Sequence, residues 1–92
     1  MNHSRKKYYQ WEAMYKAAAN HRRLELLMTL QDKPGLTVEQ LSEYLDTAFV
    51  TVAPHLQKLA RAGLIEKWYE GNYVHHRITK LGKSIISLCI ML

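Results

Sequence analysis

Thirteen Lys and Arg residues stand against eight Asp and Glu in this 92-residue chain, a net charge of +5. They come in short groups: Arg5, Lys6 and Lys7; Arg22 and Arg23; Lys58 and Arg61; Lys67 and Arg77. Cations spread this way suit phosphate oxygens, which give affinity and salt dependence but carry no sequence information. Such a basic excess points to a polyanion, nucleic acid first and an anionic membrane surface second. Other chemistry is sparse. Ser84 and Ser87 have no histidine at helical spacing, Glu66 and Glu70 have no obvious pocket, and no glycine loop is arranged to cradle a phosphate. The chain is therefore not expected to be an enzyme. His75 and His76 are adjacent on an expected strand, so they point to opposite faces and cannot share one ion. The single cysteine, Cys89, rules out an internal disulfide framework and fits a reducing compartment.

These groups must be carried by one small core. A chain this short buries roughly 60–68% of the surface its unfolded form exposes. Residues 1–92 are thus expected to form a single domain. Hydrophobic residues at 48% and charged residues at 23% argue against disorder. Met1 to Gln10 is polar and basic with no apolar segment after it, which predicts no secretory signal. The longest apolar run, Ile85 to Leu92 with Ser87 inside it, is far short of the roughly 20 residues that cross a bilayer. A cytoplasmic protein with no membrane partner is expected.

The periodicity predicts five helices and a hairpin. Residues 4–19 carry Tyr8, Trp11, Met14, Tyr15 and Ala18 at helical spacing, an aromatic stripe that must pack on something. Asn20 can cap a second helix with Leu24, Leu27 and Met28 on one face. Asp32-Lys33-Pro34-Gly35 ends it. Thr37 and Gln40 have capping-box spacing and open a third helix with Val38, Leu41 and Leu45 inward. Asp46-Thr47 breaks the pattern. A fourth helix turns Val52, Leu56 and Leu59 inward and stops at Ala62-Gly63. The period then drops to two. Residues 64–79 read as two strands around Gly71-Asn72, a register that pairs Glu66 with Arg77, Trp68 with His75 and Tyr69 with Val74. Ile65, Val74 and Ile78 should face the core. A last helix covers 80–92. The order α-α-α-α-β-β-α, with a helix-turn-helix at 37–62 and a hairpin after it, is that of a winged helix-turn-helix.

On these residues the chain resembles the arsenic-repressor (ArsR) family of winged-helix transcription regulators. The likeness is carried by Ala19-Asn20-His21-Arg22-Arg23-Leu24, the helix pair from Leu36 to Leu59, Arg61-Ala62-Gly63-Leu64-Ile65, and Glu70 to Thr79. The segment Ile78-Thr79-Lys80-Leu81-Gly82-Lys83 is also similar to the strand-to-helix junction of MarR-type regulators. The resemblance implies a homodimer that sets one recognition helix per subunit in successive major grooves of double-stranded DNA, with wings on flanking backbone. It implies a recognition helix over about 48–61. Phe49, Val50, Ala53 and Pro54 would face the groove, and Thr51, Gln57 and Lys58 would lie near phosphates. His55 would sit at the helix–phosphate boundary or serve as a structural histidine. Asn72 and Arg77 belong to the wing. Metal-sensing relatives place cysteines in the third helix, or Asp and His on the last. Here the third helix has neither cysteine nor histidine and the last offers only Cys89, so no metal and no cofactor are expected.

Base reading usually needs Arg, Lys, Asn or Gln, and these groove positions are apolar. Phe49 and Val50 could instead pack against Tyr44, or dock a protein partner. Pro54 deletes a helical N–H and clashes with the Val50 carbonyl, a cost of about 3 kcal/mol. The regular helix could therefore begin near Pro54, with Asp46 to Ala53 a turn or a separate short helix. The terminal helices, 4–19 and 80–92, expose more apolar surface than so small a monomer can hide. Tyr8, Trp11, Tyr15, Ile85, Ile86, Cys89 and Ile90 are the expected dimer interface. Cys89 is either a small buried hydrophobe or an intersubunit disulfide. The functional expectation is a homodimeric DNA-binding repressor. The alternative is a winged-helix protein-interaction module.

Overall fold

The computed structural model describes residues 4–92. Residues 1–3, where the polar N-terminal stretch begins, lie outside it. The elements are α1 (Arg5–Ala18), α2 (His21–Asp32), α3 (Val38–Tyr44), α4 (Phe49–Arg61), β1 (Ile65–Glu70), β2 (Tyr73–Ile78) and α5 (Lys80–Ile90). The order is the expected one. Arg5, Lys6 and Lys7, which could have formed a free arm, are the first turn of α1.

Local chemistry sets most boundaries. The Asn20 side chain accepts from the Arg22 and Arg23 amides at 2.9 and 3.2 Å and starts α2. Thr37 and Gln40 close a reciprocal capping box on α3. Asp46, at φ 48°, turns the chain out of α3. Beyond α4, the Leu64 amide reaches back to the Leu59 carbonyl and that of Gly63 to Ala60. With Gly63 at φ 77° this is a Schellman cap, a conformation that favours glycine. Thr79 caps α5 through the Gly82 amide at 3.1 Å. The hairpin pairs Ile65 with Ile78 and Glu66 with Arg77, through to Glu70 with Tyr73, in the expected register.

The core is built from α2, α4, the base of the hairpin and α5. Val52, Leu56 and Leu59 of α4 and Leu41 of α3 are buried, as their spacing predicts. On α2 the inner face is Leu26, Leu27 and Leu30, while Leu24 and Met28 are only half-buried. The expected stripe is thus displaced, because Arg23 takes a buried position beside it. Gly82 allows α5 to lie against the hairpin. A Cβ there would collide with the Leu64 carbonyl oxygen and the Ile78 side chain.

One strand-like contact had no sequence signal. The α2–α3 loop runs beside β2, with Gly35 N–H to His76 O at 2.9 Å and His76 N–H to Leu36 O at 3.1 Å. Both histidines reinforce it. His75 Nδ1 donates to Gly35 O at 2.8 Å, and His76 Nδ1 donates to Leu36 O at 3.0 Å. His76 is buried on the core face beside Ile65 and Ile78, whereas Val74 is only half-buried.

Candidate nucleic-acid interface

Helix α4 is continuous from Phe49 to Arg61 with Pro54 inside it, so the helix does not begin at the proline. The price of the missing N–H is limited here. The orphaned acceptor belongs to Val50, whose residue is 78% exposed and open to water. The buried stripe of Val52, Leu56 and Leu59 holds the helix against α2 and α3.

That stripe decides what faces outward. Val50, Pro54, Gln57 and Arg61 follow one another at i, i+4, i+7 and i+11, and all four are exposed. Phe49, half exposed, and Ala53, half-buried, lie to one side of this line; Thr51 and Lys58, both exposed, lie to the other. Packing against Tyr44 therefore does not hide Phe49 or Val50. Gln57 shares the outward line with Val50 and Pro54 instead of standing apart from them. Ala48, at the start of α4, has no side chain that can close the first amides.

His55 is held from behind. Arg23 donates to its Nδ1 at 3.1 Å, which places the neutral ring's proton on Nε2. Burial, then the Arg23 charge, lowers the His55 pKa from its ordinary value. The same guanidinium donates to the Ala17 and Lys16 carbonyls at the end of α1. Arg23 thus ties α1, α2 and α4 together. At 9% exposure it is not the free phosphate ligand that its sequence group implied. Arg22 remains exposed and donates to Thr47 Oγ1 at 3.0 Å.

The wing is also internally engaged. Arg77 Nε lies 2.6 Å from Glu66 Oε1, and its guanidinium sits 5.1 Å over the Trp68 ring. Trp68 stacks on His75 at 5.2 Å and donates to Glu70 at 3.2 Å. Arg77 therefore has, within the hairpin, the acidic partner that the expected register sets opposite it, and is not free for phosphate. Asn72 is exposed at the tip, flanked by exposed Tyr69 and Tyr73.

The terminal helices divide the expected dimer residues. Tyr8, Trp11 and Tyr15 are exposed on α1, and Tyr8 and Trp11 meet edge to face at 5.3 Å. Ile90 is 63% exposed and Cys89 half-buried. Ile85 and Ile86 are corrected: at 7% and 1% exposure they belong to the subunit's own core. Leu88, at 55%, and Leu81, at 42%, are further exposed apolar residues of α5 outside that expected set. No group of three or more His, Cys, Asp or Glu among the described residues could hold a metal ion. No helix among them is long and apolar enough to cross a membrane.

Comparison with known proteins bears on the same geometry. The family model for bacterial regulatory proteins of the arsR family matches residues 20–67. The structure of HlyU from Vibrio cholerae N16961 is 31% identical, covering 94% of each chain, with a TM-score of 0.80. The homodimeric winged helix-turn-helix DNA-binding domain of Mb0332 from Mycobacterium bovis is 28% identical over 98% of this chain and 85% of that one, with a TM-score of 0.84. A MarR protein from Peptoclostridium difficile shares the fold at 22% identity and a TM-score of 0.70, over 75% of this chain and 47% of its own. No curated protein matches the sequence.

Proposed function

Because the chain belongs to the arsR family of bacterial regulatory proteins, we propose that it binds double-stranded DNA as a homodimeric transcription regulator. In this reading residues 1–92 act as one winged-helix domain, in the cytoplasm, as a repressor. The observation that carries it is the exposed line Val50, Pro54, Gln57 and Arg61 on the second helix of the helix-turn-helix. Gln57 is its one amide. Presented to a major groove, an amide can pair with an adenine edge, while Val50 and Pro54 meet thymine methyl groups. Thr51, Lys58, Arg61 and the uncapped start of α4 supply phosphate contacts. His55 Nε2–H and Asn72 add polar contacts at the two borders, and Phe49 and Ala53 flank the groove. Exposed Tyr8, Trp11, Tyr15, Leu88 and Ile90 supply the two-fold interface, with Cys89 beside them. A symmetric dimer then sets its two α4 helices about 34 Å apart, one turn of DNA.

The exposed Phe49 and Val50 also favour a second reading, a protein-interaction module that docks through the start of α4. Fluorescence anisotropy separates the two. The purified protein is titrated onto duplex from upstream of its own gene and onto a scrambled duplex, at several salt concentrations. Tighter binding to the native duplex, weakening steeply with salt, is the expected result. Equal or absent binding to both duplexes with the dimer retained would reject DNA reading and favour the protein partner.

A further inference from the structure

A crevice of about 360 Å³ opens between α1 and the C-terminal half of α4. Its apolar walls are Ala13 and Ala17 of α1 and Ala62 at the end of α4. Its charge comes from Lys16, Lys58 and Arg61, and no acidic side chain among the described residues lines it. Arg23 also borders it, already bound to the Ala17 carbonyl and His55. Lys16 is weakly paired with Glu12 at 3.9 Å, both well exposed. Lys58 and Arg61, three residues apart on one helix, have no ion pair among the described residues. Like charges at that spacing repel, so an anion between them would relieve a standing cost.

We propose that this crevice binds a small organic anion, a carboxylate or sulfonate carried on a flat apolar body. The alanine walls favour this over inorganic phosphate, which gains nothing from apolar contact. A crevice of this volume lies at the lower end of small-molecule sites and suits one or two fused rings. It also stays clear of the proposed dimer face. Ala13 and Ala17 lie two residues on from Trp11 and Tyr15, about 200° around α1. An occupant would touch both α1 and α4 and bias how the terminal helix sits against the groove-facing one. That consequence rests on the regulator reading; binding itself does not.

Isothermal titration calorimetry on the full chain without DNA tests the site, using sodium 2-naphthoate, uncharged 2-naphthamide and inorganic phosphate as probes. The expected result is saturable 2-naphthoate binding at one per chain, with 2-naphthamide weaker by about tenfold or more. Ala13→Leu, at an exposed position, fills the crevice without changing charge, and Arg61→Gln removes a cation. Each should weaken 2-naphthoate by about tenfold or more with the far-ultraviolet circular dichroism unchanged. No binding, equal binding of acid and amide, or indifference to Ala13→Leu would overturn the proposal. So would phosphate binding as well as 2-naphthoate, which would mark a seat for the DNA backbone. Anisotropy on DNA with 2-naphthoate present should show altered affinity in the parent protein and none in Ala13→Leu. Unaltered affinity in the parent would overturn the coupling. Loss of all DNA binding with calorimetry intact would remove the regulator reading alone.

Discussion

Gln57 and Arg23 show how much can depend on one side chain. Gln57 is the only amide on the outward line of α4, so Gln57→Ala should weaken binding to the preferred duplex by about 1–3 kcal/mol and relax the preference. The salt dependence should stay as it was, because no phosphate contact is removed. Anisotropy on native and altered duplexes reads both; a change in salt slope would reassign Gln57 to the backbone. Arg23 is buried and satisfies two carbonyls at the end of α1 as well as His55. Arg23→Met should cost about 1–3 kcal/mol in urea unfolding, since those acceptors lose their donor. The histidines make stability depend on pH. Burial lowers the pKa of His76, and burial followed by the Arg23 charge lowers that of His55. In the unfolded chain both take up protons near the ordinary pKa of about 6.5, whereas the folded chain resists. Stability should therefore be level above that pH and fall as the pH drops below it. Urea midpoints at neutral and mildly acidic pH check this, and His76→Gln should flatten the fall. A midpoint that rises on acidification would contradict the assignment.

At the scale of elements, α4 holds a helical proline in place by burying its opposite face. Propensity alone argues for a break at Pro54, yet Val52, Leu56 and Leu59 keep the helix whole. Pro54→Ala should restore the hydrogen bond to Val50 and stabilise the protein, by less than the ~3 kcal/mol of a fully buried case because Val50 is an exposed residue. Differential scanning calorimetry should show a higher Tm; an unchanged or lower Tm would mean that the proline ring itself packs. The contrast shows what the sequence could reveal. Asn20, the Thr37–Gln40 box, Ala62-Gly63 and the Gly71-Asn72 turn announced their boundaries because each acts on backbone a few residues away. The hairpin register followed from one turn. Contacts between distant segments left no such mark. Arg23 meets His55 from 32 residues away, and His76 meets Leu36 from 40. So the burial of Arg23, the loop laid along β2 and the crevice between α1 and α4 were not legible. The outward line of α4 was legible in part. Its residues were named, but placing Gln57 on it required knowing that the helix runs unbroken through Pro54.

As a whole molecule the chain is elongated, 45 × 31 × 21 Å, with a radius of gyration of 13.8 Å. A compact chain of this length has one of about 12 Å. The excess fits α1, whose aromatic residues are exposed while only Ala18 is buried. If a second copy covers that face, folding and association are linked, and the Tm should rise with protein concentration. Ile90→Asp should abolish that rise and yield a monomer in sedimentation velocity, with the subunit core intact because Ile85 and Ile86 carry it. A dimer surviving both Ile90→Asp and Tyr15→Asp would place the two-fold axis elsewhere. The two tryptophans divide between these surfaces. Trp11 lies on the aromatic face of α1, while Trp68 is set in the wing, in contact with both the His75 imidazole and the Arg77 guanidinium. The chain's ultraviolet emission thus has two separately placed sources. Trp11→Phe should leave an emission that follows the wing alone, and Trp68→Phe one that follows association, so a single fluorimeter can time subunit pairing and wing engagement without any attached dye.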